Sequence, residues 1–83
     1  MIPGKLYKSS ERIAFCKGKL AKRVYVSDSS NLNYFSLPID SIFLFCDYKQ
    51  LTDYDCRIEI LYMNKILTRI LHIGSFEKWV NIL

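Results

Sequence analysis

Residues 56–73 read CRIEILYMNKILTRILHI, and the register in which this stretch folds back on itself decides the fold of the chain. The stretch reads as two apolar strands folded back on each other at Met63-Asn64-Lys65, with apolar and polar residues alternating through 56–60. A slip of one residue exchanges the faces, so loop length matters more than composition here. A two-residue loop at Asn64-Lys65 sets Met63 opposite Ile66 and Glu59 opposite Ile70, mixing apolar and charged residues on each face. A three-residue loop over 63–65 sets Tyr62 opposite Ile66, Ile58 opposite Ile70 and Cys56 opposite His72. It also sets Glu59 opposite Arg69 as a cross-strand ion pair on the outer face. Asn64 tolerates the left-handed backbone that such a loop requires. The three-residue loop is therefore expected, with Ile58, Ile60, Tyr62, Ile66 and Ile70 inward and Thr68 the one polar member.

The chain has 83 residues, which suits one domain over 1–83 whose core buries roughly 60–65% of the unfolded surface. With 51% apolar and 24% charged residues it is a folding composition rather than a disordered one. Aromatic residues at 14% and only two prolines favour strands. The longest apolar run, 42–46, is far too short to span a membrane, and the first residues hold no apolar signal core. Three cysteines without close pairing fit a reducing compartment, so a cytoplasmic protein is expected, with Cys16, Cys46 and Cys56 as small buried hydrophobes.

Outward from the hairpin, a first strand is expected at 5–8 with a second apolar piece at 13–16, further strands at 20–26 and 41–48, and an extended course over 34–36. A helix over 11–23 competes with two of them, but Gly18 and sparse helical periodicity weigh against it. Turns fall at Pro3-Gly4, at Lys17-Gly18-Lys19 and at 37–40, and 27–33 (SDSSNLN) is the clearest loop. After Gly74 the tail SFEKWVNIL is a one-turn helix or a last strand, with Trp79 a core anchor. The expectation is an all-β fold: a small, strongly bent barrel of five to six strands, with room for a short C-terminal helical turn. The opening GKLY at 4–7, LPIDSIF at 37–43, the hairpin over 58–70 and the closing Trp79-Val80 resemble the Src-homology-three-like barrels of bacterial and viral proteins. That resemblance implies a binding or assembly module, seldom an enzyme.

Two surfaces stand out. In 41–48 both faces are largely apolar, and in the expected hairpin register Leu61 and Leu67 share the second face with Phe43 and Phe45. One explanation is a bent strand feeding both halves of a single core; the other is a protein-binding or self-association surface made of Phe43, Phe45, Leu61 and Leu67. Charge is also skewed. Residues 1–23 carry seven basic groups against one acidic, 7 − 1 = +6, and residues 24–83 carry 5 − 7 = −2, which sum to the net +4. Lys17, Lys19, Lys22, Arg23 and Tyr25, with Tyr34 and Phe35 near them, are the candidate nucleic-acid contacts; a solvated edge that deters strand pairing is the plainer account.

His72, Cys56, Cys16 and Cys46 lack the close spacing of a zinc site, so no metal and no cofactor is expected. No nucleophile, base and orienting group form a recognisable set, and no small-molecule substrate is inferred. The leading expectation is a non-enzymatic protein-interaction or assembly module, of a kind that suits a viral or phage accessory protein in the host cytoplasm or the virion. The alternative is a small nucleic-acid-binding barrel that uses the basic N-terminal segment.

Overall fold

The computed structural model describes residues 1–19 and 33–83. Seven strands, β1 (Leu6–Ser9), β2 (Ile13–Lys17), β3 (Tyr34–Leu37), β4 (Ile42–Gln50), β5 (Cys56–Tyr62), β6 (Lys65–Leu71) and β7 (Val80–Ile82), and one helix, α1 (Ile73–Lys78), follow one another along the chain. The strands make one antiparallel sheet in the order β3-β2-β6-β5-β4-β1-β7, strongly curled into a half-barrel. The all-β expectation holds, with seven strands among the described residues where five to six were expected. The tail is both of the elements expected as alternatives, a short helix and then a strand. The expected strand over 20–26 and most of the 27–33 loop lie outside the described residues.

The hairpin register differs from the expectation. Met63 and Asn64 have φ of 48° and 63°, and Tyr62 pairs with Lys65. Two consecutive positive φ values make a two-residue primed turn, whose twist matches that of the flanking strands. Ile60 then faces Leu67, Cys56 faces Leu71, Ile58 faces Arg69 and Glu59 faces Thr68. Holding Met63 left-handed costs on the order of 1–2 kcal/mol. Burying Leu67 and Leu71 beside Ile58 and Ile60 returns about 1.5–3 kcal/mol per side chain, so packing wins over the local strain. Ile66 is consequently exposed and Ile70 half-buried, and Glu59 pairs with Arg57 of its own strand at 3.4 Å rather than with Arg69.

A second correction lies in β4. Its pairing to β5 shifts between Phe45 and Asp47, so Cys46 is the extra residue of a β-bulge. Phe43 and Phe45 point to the concave face before the bulge, and Tyr48, opposite Ile58, points there after it. Without the bulge, strict alternation would put Asp47 in the core. The concave face is filled by Tyr7, Ile13, Phe15, Leu37, Phe43, Phe45, Ile58, Ile60, Leu67 and Leu71, and α1 closes over it with Phe76.

The turn before β4 is pinned by Ser9. Its buried hydroxyl donates to the Pro38 carbonyl at 2.8 Å and accepts from the Ser41 amide at 2.9 Å. Ser9→Ala leaves that buried amide unpaired and is expected to cost about 1–3 kcal/mol in urea unfolding. A loss under about 0.5 kcal/mol would show that the turn is held by other contacts.

Candidate functional site

The convex face of the sheet carries a transverse apolar row. Leu6 of β1 pairs with Leu44 of β4, Leu44 with Leu61 of β5, and Leu61 with Ile66 of β6. Four strands about 4.8 Å apart place these side chains across a span of about 14 Å. Leu6 is 47% exposed, Leu61 36% and Ile66 37%, while Leu44 is half-buried. Ile42, 51% exposed and two residues along β4 from Leu44, and the exposed turn residue Met63 widen the row toward the hairpin end. On its other side the face turns charged, with Asp47, Lys49, Arg57 and Glu59 in β4 and β5. An antiparallel sheet with one wet face is normally polar there, so an apolar centre beside a charged margin has the make-up of a contact surface.

Of the residues expected on such a surface, the structure keeps one. Leu61 is exposed there, but Phe43, Phe45 and Leu67 are buried in the concave core. The pairing of Phe45 with Ile60 turns Phe43 and Phe45 inward, and the two-residue hairpin turn does the same for Leu67. Leu6, Leu44 and Ile66 take their place. Register was the missing signal: Leu6, Leu44, Leu61 and Ile66 sit in four separate strands and line up only when the strands pair.

The second surface is a cleft of about 600 Å³ at the hairpin end of the sheet, lined by Lys17, Gly18, Phe35, Asn64, Lys65, Ile66 and Leu67. Every charged residue in that lining is basic. The Lys65 ammonium lies 4.5 Å from the centre of the Phe35 ring, and the Tyr62 ring lies 5.9 Å from it on a tilt of 46°. A cation over an aromatic ring at an exposed site is worth about 0.5–1 kcal/mol, whereas a base stacked on such a ring is worth about 1–3 kcal/mol. The flexible Lys65 stem therefore yields that ring face to a planar ligand at small cost. Lys17 and Lys19, both expected as nucleic-acid contacts, are exposed; Lys17 lines the cleft, and the Lys19 carbonyl accepts from Arg57 at 2.8 Å. Lys22, Arg23 and Tyr25 lie outside the described residues. Phe35 does adjoin Lys17 across the cleft, and Lys65, which sequence reasoning left unassigned, joins them.

The titratable groups elsewhere have structural surroundings. Cys56 Sγ donates to the Leu71 carbonyl at 3.1 Å, and burial, with Asp55 adding, pushes its thiol up from the ordinary value. That holds the proton on sulfur, the reverse of what an attacking thiolate needs. Burial, with Glu59 and Asp47 adding, raises Cys46 as well. His72 does not face Cys56. It is exposed at the start of α1, where its ring Nδ1 accepts from the Gly74 amide at 3.1 Å. Among the described residues no group of three metal-ligating side chains converges. Arg69 points into the concave side, donating to the Ala14 carbonyl at 3.0 Å with its guanidinium 5.4 Å from the Trp79 ring centre. Burial lowers its pKa, and its buried Nε has no partner.

No helix among the described residues is long and apolar enough to cross a membrane. No family model, curated protein or solved structure matches the chain.

Proposed function

We propose that this protein is a non-enzymatic protein-interaction or assembly module that docks on a larger protein complex through the convex face of its half-barrel. The supporting observation is the exposed row Leu6–Leu44–Leu61–Ile66 flanked by charged residues. The occupant that fits is a partner protein presenting an apolar face of similar width, about 14 Å, because water cannot satisfy such a stripe and a convex face gives a small molecule no enclosure. The curled sheet suits an Src-homology-three-like barrel, and the small size suits a viral or phage accessory protein acting in the host cytoplasm or the virion.

A photo-crosslinking residue at position 61, compared with one at Lys49 on the same face, tests the reading in the native host. The expected result is a partner captured from position 61 and lost when Leu6→Ser and Leu61→Ser are combined. Both side chains are exposed, so the double variant should melt within about 0.5 kcal/mol per site of the parent. Retention of the same partner by that folded variant, or equal capture from both positions, would overturn the proposal. Capture of a second copy alone, with a mass by light scattering that halves in the variant, would replace docking by self-association.

A further inference from the structure

We infer that the cleft at the hairpin end binds a nucleoside phosphate, either free or as a unit of a single-stranded nucleic acid, with its base on Phe35 and its phosphate between Lys17 and Lys65. This site meets the apolar row at Ile66, but its chemistry rests on Lys17, Lys65 and Phe35, none of which belongs to that row, and it does not rest on the docking proposal.

Three features converge on that chemistry. First, the lining joins two cations to an aromatic ring and to Ile66 and Leu67, and holds no carboxylate among the described residues. A ligand that satisfies it needs both an anionic and a planar part. Second, the volume of about 600 Å³ sits within the usual range for small-molecule sites, roughly 300–1,000 Å³. Third, the turn supplies a polar group for a base edge. Asn64 occupies the second position of the primed turn at φ 63°, and its side-chain amide carries both a donor and an acceptor.

The backbone holds the two cations where one phosphate can meet both. Lys17 is opposite Leu67 in the β2–β6 pairing, and Lys65 lies two residues before Leu67 on the same strand, so both belong to the same face. In the free protein Lys65 sits over Phe35. A base that takes the ring displaces the ammonium toward the phosphate, exchanging a ring contact for a charge-assisted hydrogen bond. The surplus of +6 over residues 1–23 favours approach of an anionic ligand.

The test is fluorescence anisotropy on the full chain. The probes are labelled single-stranded RNA and DNA oligomers of roughly eight nucleotides, within the range one small barrel covers. AMP and inorganic phosphate serve as competitors, between about 50 and 200 mM salt. Combining Lys17→Gln with Lys65→Gln is expected to weaken binding at least about tenfold and to flatten the salt dependence by about two phosphate contacts. Phe35→Leu is expected to weaken it by about tenfold with the salt slope unchanged, and Phe35→Trp to restore it. Circular dichroism confirms that each variant is folded; the two lysines are exposed, so their variant keeps the test open if Phe35→Leu does not fold.

Displacement by AMP that depends on the lysines supports a free nucleotide as ligand. Binding of oligomers that AMP does not displace supports a strand. Absence of binding at low salt overturns the inference. So does equal competition by inorganic phosphate and AMP, or affinity that folded Phe35→Leu leaves unchanged, because either reduces the cleft to a generic anion contact.

Discussion

Phe76→Ala is expected to lower the stability of this protein by about 3–5 kcal/mol, the usual cost of emptying a large aromatic site in a core. Phe76 is fully buried, and its ring centre lies 6.2 Å from Phe15, 6.2 Å from Phe43 and 6.5 Å from Phe45. Helix α1 has six residues, too few to persist on propensity alone, so its place over the sheet depends chiefly on that ring, with half-buried Ile73 packed on the same core. The variant loses the ring and frees the helix that carries it. A small domain holds about 5–15 kcal/mol in total, so the expected result in thermal melting is a midpoint lower by about 15–30 °C. Phe76→Leu, which refills much of the volume, should lose less than half as much. A midpoint within about 5 °C of the parent for Phe76→Ala would show that the half-barrel is closed by something other than this ring.

Phe45→Ser should unfold the chain outright. It empties another fully buried aromatic site, in contact with Tyr7 at 6.0 Å and with Phe76, and it leaves a hydroxyl in an apolar surround. The cavity costs about 3–5 kcal/mol, and the unpaired hydroxyl adds about 1–3 kcal/mol. The sum approaches the whole stability of a domain this size. Leu61→Ser, by contrast, changes an exposed side chain on the opposite face and should leave the melting curve nearly in place. The pair separates core from contact surface. If Phe45→Ser folds normally and loses a partner, the inward assignment of β4 is wrong. If it unfolds while folded Leu61→Ser loses the partner, the convex face is the interface.

Much of this architecture was legible in the residues. Alternation in 56–60, the apolar character of 66–71, the turn signals Pro3-Gly4, Gly18 and 37–40, and the scarcity of helical periodicity together gave strands, their approximate limits and the all-β class. Gly4 and Gly18 do take positive φ, 87° and 81°, at two of those turns. Register was not legible. The two-residue turn requires Met63 in a conformation its own preferences oppose, and the cost is offset only by Leu67 and Leu71 entering a core formed with distant strands. The bulge at Cys46 has the same character, since nothing within 42–50 marks which residue is extra.

The sequence by itself determined that this chain folds as strands, because period-two patterning, β-branched and aromatic side chains and turn residues act within a few neighbours. Which face each strand presents was decided only by the tertiary structure. A one-residue change of register or a single bulge inverts every side chain beyond it, and choosing among registers is a contest of buried area summed over the whole sheet. The apolar row on the convex face and the basic cleft at the hairpin end exist because that contest ended as it did.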